Sequence, residues 1–276
     1  MKSKMKNIEN LMVVVRGGGD IATGVVQKFY RQGFRVVILE IEQPLAVRRT
    51  VALSTAVYTG ETQVEDLIAY KINSPKACEE IWNQGKIPIL IDPKGEHIRT
   101  LKPAILIDGI IAKKNLGTHK RLAPVTIALG PGFEAGVDVD VVVETMRGHH
   151  LGRLYFTGMA LPNTGIPGEV GGKTEERVIY APCSGKVTHV RRIGDQVKEG
   201  EGIFYIDDFL VLSPISGTLR GLIHEGLSVK KGLKCGDIDP RDHHTIDCTR
   251  ISDKARTIGE ATLKATLMML EEPKKK

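Results

Sequence analysis

The chain has 276 residues, 41% hydrophobic and 26% charged, enough for a sizeable core and two domains. Those fractions exclude a disordered or fibrous chain, and no apolar run reaches membrane-spanning length. Part of the net charge of +6 comes from Lys2, Lys4, Lys6 and Lys274 to Lys276, which have no interleaved aromatic residues and read as solvated tails rather than nucleic-acid contacts.

The first ten residues are too polar for a signal peptide, and Cys78, Cys183, Cys235 and Cys248 show no CxxC spacing. A reducing cytoplasm is therefore the expected location, without a zinc ribbon or disulfide framework. In chain order, Met12 to Val15 is a short β-branched run that reads as a strand buried on both faces. Gly17, Gly18 and Gly19 follow, then a helix with Ile21, Val25, Val26 and Phe29 on one side, closed by Gly33. Val36 to Leu39 is a second buried strand ending at Glu40.

This strand–turn–helix–strand unit predicts a Rossmann-like, mostly parallel α/β sheet with a dinucleotide-type corner. Phosphates reach helix-start amides only where no Cβ intervenes, so Gly17, Gly18, Gly19, Ala22 and Thr23 are candidate binding positions, with Gly24 expected to let the helix pack on the strand. Glu40 lies 21 residues after Gly19, where an acid commonly accepts ribose hydroxyls. Asp20 would repel a phosphate unless it caps the helix or holds a metal, and the cap is the expectation. A turn that only joins strand to helix is the plain alternative.

Pro44 is expected to open a short helix carrying Arg48 and Arg49, which suit an anionic ligand or surface pairing with Glu40, Glu42 or Glu61. Val51 to Val57 reads as strand or helix edge, and Val64 to Ala69 and Ser74 to Trp82 as helical. Lys86 to Asp92 and Ala104 to Gly109 are buried strands ending in acids, so Asp92 and Asp108 are site candidates, with helix capping as their ordinary role. Pro124 to Leu129 enters a rigid bend at Gly130-Pro131-Gly132. Val139 to Thr145 is a strand leading into Glu144-Thr145-Met146-Arg147-Gly148-His149-His150. Arg147 there suits an anion, and His149 or His150 suits acid/base work. No ligand spacing supports a metal.

The boundaries expected are an α/β domain over 1–150, a Gly/Pro-rich connector or lid over 151–177, a β domain over 178–250, and over 251–276 a C-terminal helix packing on the α/β domain with a basic tail. The β domain carries an internal repeat. Pro182, Ser184, Gly185, Gly194, Val197, Lys198 and Gly200 each find an identical residue 32 positions on. This pattern resembles the biotinyl/lipoyl-carrier barrel, in which two such halves face each other. Carriers of that kind attach their cofactor to a lysine on the central hairpin, but Tyr205 to Val211 has none, so a swinging arm is not expected. Cys183 matches Ile215 in the second repeat and reads as a packing position. Asp237, Asp239, His243 and His244 read as a polar loop or a metal cluster, the loop being favoured for its turn chemistry. Ser252-Asp253 caps a last helix over 254–270.

Three stretches together resemble one family: Arg16 to Gly24; Leu129-Gly130-Pro131-Gly132-Phe133 with Glu144 to His149; and Gly236 to Arg241 with Ile251 to Arg256. They are similar to the YqeB-type accessory proteins of selenium-dependent molybdenum hydroxylases. The resemblance implies a cytoplasmic bacterial maturation factor, with a client hydroxylase or other maturation proteins as partners and a homo-oligomer as a further possibility. It implies no defined reaction and no assignable catalytic residue. Joined to the glycine turn, it gives the expectation of an accessory protein that binds a nucleotide or a molybdenum-cofactor dinucleotide. An NAD(P)-dependent oxidoreductase and a non-catalytic assembly protein are the alternatives.

Overall fold

The computed structural model describes residue 8 and residues 11–271. The basic runs at Lys2 to Lys6 and Lys274 to Lys276 lie outside these residues. The chain divides into two compact units, residues 1–44, 52–163 and 251–276, and residues 45–51 and 164–250.

The first unit is built on Val13, Val14 and Val15, Val36 to Leu39 and Ile105 to Ile107, apolar runs with almost no exposure on either face. Such runs are stable only as central strands with cover above and below. They form β1 (Met12–Arg16), β2 (Arg35–Glu40) and, further on, β6 (Ile105–Asp108). Helix α1 (Asp20–Arg31) follows β1. A 3-10 turn at Leu53–Thr55 and α2 (Ala56–Thr59) lead to β3 (Glu61–Val64) and β4 (Leu67–Ile72). Then come α3 (Cys78–Asn83), β5 (Ile87–Ile91) and α4 (Ile98–Leu101). After β6 the strands are β7 (Val125–Leu129), β8 (Glu134–Ala135), β9 (Val141–Val143), β10 (Leu154–Tyr155) and β11 (Gly158–Met159), and α5 (Asp253–Glu271) completes the unit.

The main sheet has nine strands in the order β10-β9-β7-β6-β1-β2-β5-β4-β3. Its interior pairs are parallel, but β3 runs antiparallel to β4 and β10 antiparallel to β9. The expected Rossmann-like, mostly parallel architecture is therefore corrected to a large mixed sheet, parallel inside and antiparallel at both edges. Its crossovers explain why. Residues 109–124 join β6 to β7 with one 3-10 turn, Lys120–Leu122, and no α-helix. That stretch carries Gly109, Asn115, Gly117 and a lysine pair, and lacks the apolar period a covering helix needs. The last helix, α5, lies instead against α1, β7 and β9.

Other local expectations change too. Val64 to Ala69 is not helical but part of the β3–β4 hairpin, turned at Glu65 (φ 53°) and Asp66. Pro44 opens no helix; Arg49 begins a 3-10 turn, Arg49–Val51. Of the two readings of Val51 to Val57, helix edge is the one seen: the stretch holds 3-10 turns and the start of α2. The strong strand expected over Val139 to Thr145 is only Val141–Val143.

The second unit is antiparallel throughout its named strands: β12 (Val178–Tyr180), β13 (Gly185–His189), β14 (Gln196–Val197), β15 (Gly202–Ile206), β16 (Phe209–Leu212), β17 (Gly217–Leu222), β18 (Ser228–Val229) and β19 (Lys234–Asp239). These form two four-stranded sheets, β12-β19-β17-β14 and β16-β15-β13-β18, in place of the expected flattened, biotinyl/lipoyl-like barrel. The repeat is written into the backbone. Gly185 and Gly217 share φ values of 156° and 155°, a region open to glycine. Gly194 N donates to Leu219 O at 2.8 Å, and its equivalent, Gly226 N, donates to Val187 O at 2.8 Å. Each repeat thus lends a short strand to the other's sheet, β14 to β17 and β18 to β13.

Candidate functional site

The glycine turn divides into two parts with different work. At Gly17 (φ +90°) a Cβ would come 3.0 Å from Gly109 O and Ile110 Cα. At Gly18 it would come 3.0 Å from Ser54 N, which itself donates to Gly18 O at 2.8 Å. These two glycines admit the protein's own backbone. Gly19 differs: a Cβ there would meet nothing within 4 Å. Gly19 is the extended N-cap of α1, and Asp20 is the first helical residue, so the expected Asp20 cap is corrected. Ala22 is buried and its Cβ faces Gly109. Thr23 donates its hydroxyl to Gly19 O at 2.9 Å and accepts the Leu53 amide at 3.0 Å. Gly24 packs on α5, not on the strand, since a Cβ would fall 2.4 Å from Ala255 O.

Glu40 reaches back into this corner. Its Oε2 accepts the Gly18 amide at 2.7 Å and its Oε1 the Ile41 amide at 2.8 Å. Burial raises its pKa, and these two amides offset part of that rise. Ser54, 1% exposed, has a hydroxyl without a hydrogen-bond partner among the described residues. Lys254, near the start of α5, joins the same group of charges. Burial lowers its pKa, Asp20 is the strongest charge acting the other way, and Arg147, Glu144 and Asp253 also act on it. Lys254 escaped the sequence reading because only the packing of α5 on α1 places it near Asp20.

The Glu144 to His150 segment does not assemble as an acid/base site. Glu144 is fully buried, and its carboxylate accepts amides from Thr145, Met146 and Leu161, each at 2.8 Å. Arg147 forms a bidentate pair with Asp253 at 2.7 and 2.9 Å. His149 and His150 are exposed. Gly130 (φ +77°) and Gly132 (φ +104°) make room for the Thr145 side chain and the Lys114 backbone. Asp108 accepts Thr118 Oγ1 at 2.6 Å and the Ile110 amide at 3.2 Å, and lies 3.7 Å from Arg16 Nη1. Asp92 accepts the Glu96 and His97 amides at 2.9 and 2.8 Å. Both acids hold loops, which is the ordinary role weighed for them.

Arg48 and Arg49 belong to the second unit, where Arg49 Nε donates to Leu222 O at 2.6 Å and Arg48 Nη2 to Arg250 O at 3.5 Å. Asp237 and Asp239 are bound into an arginine network: Arg177 and Arg220 hold Asp237, and Arg220 and Arg241 hold Asp239. They do not form a cluster with His243 and His244. Among the described residues, Asp242, His243 and His244 form one exposed group whose ligating atoms lie within 4.8 Å of one another. Cys183 is half-buried. No described helix is long and apolar enough to cross a membrane.

No protein-family model matches the chain. Among solved structures, it is similar to a succinylglutamate desuccinylase/aspartoacylase from Rhodobacter sphaeroides, with 10% identity, 85% of this chain and 87% of that chain covered, and a TM-score of 0.27. The Ectoine utilization protein EutE (DoeB) from Ruegeria pomeroyi gives 6% identity, 84% and 87% coverage, and a TM-score of 0.24. Likenesses at that level carry no argument about activity. In sequence, the chain is 46% identical over 261 residues to the uncharacterized protein YqeB of Escherichia coli (strain K12). The match covers 95% of this chain and 48% of that protein, so the chain spans about half the length of the relative.

Proposed function

We propose that the chain is an accessory protein in the maturation of a selenium-dependent molybdenum hydroxylase, and that it binds a nucleotide, or the nucleotide part of a molybdenum-cofactor dinucleotide, where α1 begins. The observation that carries the site is Gly19. It heads a twelve-residue helix, and a Cβ at Gly19 would meet open space, whereas Gly17 and Gly18 are closed in by neighbouring backbone. Helix N-termini attract anions through unpaired amides and the aligned peptide dipoles. Glu40, half-exposed beside the turn, offers a carboxylate for ribose hydroxyls. Behind the turn, the Ser54 backbone closes on Gly18, and its buried hydroxyl has no partner among the described residues. Lys254 offsets the Asp20 charge that would otherwise oppose a phosphate. The maturation role rests on the family resemblance and on the likeness to YqeB, whose own reaction is undefined.

A thermal-shift panel of CTP, cytidine-type dinucleotides, ATP and NAD(P) tests the reading. Cytidine ligands at about millimolar concentration are expected to raise Tm, as any ligand selective for the folded state does. Gly19→Val is expected to abolish that rise while the ligand-free melt stays close to the wild type. A shift that survives Gly19→Val removes α1 from the site. A response to NAD(P) alone replaces this reading with the oxidoreductase, and no response to any ligand leaves a non-catalytic assembly protein.

A further inference from the structure

A second feature lies elsewhere on the first unit, where β6 and β7 begin. An open groove of about 910 Å³ runs between α4 with its following residues and the segment before β7. One wall carries Arg99 and Lys102, the other His119 and Arg121. Leu122 and Pro124 supply apolar surface, and among the described residues no Asp or Glu lines the groove.

The four basic side chains are all exposed, and none has an ion pair or hydrogen bond to its side chain among the described residues. This sets them apart from neighbouring cations. Lys120, between His119 and Arg121, sits 3.7 Å from Asp140, and Arg35 and Lys86 are paired with Glu79 and Glu61. Cations facing one groove without acids raise its potential and select anions. Guanidinium groups suit carboxylates and phosphates alike, since two parallel N–H groups match two oxygens.

We infer that this groove receives an extended acidic peptide segment of a partner protein. Along an extended strand, successive side chains point to opposite sides. Carboxylates on such a segment reach Arg99 and Lys102 on one wall and Arg121 on the other, while its apolar side chains rest on Leu122 and Pro124. A small phosphorylated ligand fits less well. Small-molecule sites enclose most of the ligand surface, and this groove is open. Pro103 and Pro124, at its edges, have no amide N–H to offer a phosphate.

The test is fluorescence polarisation of the full chain with a labelled short peptide alternating glutamate and leucine, against a serine–leucine control and with ATP and inorganic pyrophosphate as competitors. Binding of the acidic peptide is expected, weakening as salt rises because exposed charges are screened. Arg99→Glu with Arg121→Glu is expected to weaken it by about tenfold or more, as charge reversal at an interface does. Arg99→Lys with Arg121→Lys should retain most of the affinity. The exposed sites make misfolding a poor explanation for a loss, and an unchanged melt checks this. Equal binding of the control peptide, or an unaffected charge-reversed variant, overturns the inference. Displacement by pyrophosphate or ATP at lower concentration than unlabelled acidic peptide would make the groove a phosphate site instead. Gly19→Val leaves this assay untouched, so the groove and the glycine turn fail or stand separately.

Discussion

Gly24→Ala is the sharpest test of how the first unit is held together. A Cβ at Gly24 would lie 2.4 Å from Ala255 O and 2.6 Å from the same carbonyl carbon. The approach is mutual, since a Cβ at Gly259 would lie 2.4 Å from Gly24 O. An ordinary close carbon–oxygen contact is about 3.3 Å, so α1 and α5 would have to part by roughly 1 Å. The opposing atoms are backbone and cannot rotate away. Parting the helices opens gaps around Val25, Val26, Ile258 and Ala265, all without exposure. Two effects then compete. Alanine in a helix interior returns about 1 kcal/mol over glycine. Overpacking costs about 1–3 kcal/mol, and more where backbone cannot yield. The clash should win by about 2 kcal/mol, a fall in Tm of roughly 4–8 °C for a chain of this size. Circular-dichroism melts measure it. Gly19→Ala, with open space at its Cβ, is the control and should cost less than about 1 kcal/mol as an N-cap change. A Gly24→Ala melt at or above the wild type would refute the close approach of α1 and α5.

Two further outcomes follow from the buried charges. Arg16 and Asp108 are 2% and 1% exposed, and Thr118 bonds to both, so Arg16→Leu strands a carboxylate whose pKa burial already raises. Urea unfolding should show a loss of about 3–5 kcal/mol, with much of it recovered when Asp108→Leu is added. In the second unit, burial pushes the Asp237 pKa up, but Arg220, Lys234 and Arg177 outweigh it and hold the carboxyl below its usual range. A depressed folded-state pKa contributes stability above the unfolded value of about 3.9, and that stability is lost as pH falls through the folded value. Melts taken from neutral pH to below about pH 4 should therefore show a steep acid loss, and Asp237→Asn should melt lower at neutral pH and lose less on acidification.

The sequence made the central strands legible because burial on both faces leaves a composition no other element needs: Val13 to Val15, Val36 to Leu39 and Ile105 to Ile107. It also exposed the 32-residue repeat, whose paired glycines recur with matching φ values. What it concealed was pairing. Nothing local in Val64 to Ala69 says that Glu65 adopts φ 53° and turns the chain into a hairpin. The antiparallel strands at the two sheet edges pair close in sequence, Val64 opposite Leu67 and Leu154 opposite Val143, and the short runs that form them do not announce the direction of pairing. The same holds for the second unit, where the repeat was plain but two sheets rather than one barrel resulted. The acids misled in a consistent way. Asp92, Asp108 and Glu144 looked like ligand groups because they end strands, yet each is spent on amides or hydroxyls of its own loop. Strand ends need such acceptors whether or not a ligand is present.

The glycine turn brings these lines together. Gly17, Gly18 and Gly24 admit neighbouring backbone, from Gly109, Ser54 and Ala255 in turn, so a string of glycines here is first a packing device. Only Gly19 opens outward, and what surrounds it is electrically mixed: Asp20 and Glu40 on one side of the balance, Lys254 and the head of α1 on the other. A dense phosphate chain lying against Glu40 would meet a half-buried carboxylate whose desolvation already disfavours its charge. A sugar hydroxyl there would instead donate to it. In the proposed site this charge pattern would order a ligand, with hydroxyls toward Glu40 and any anionic group toward Gly19 and Lys254. A ligand with that polarity is a nucleotide in outline, which is why the proposed site is the outward edge of the turn and not the turn as a whole.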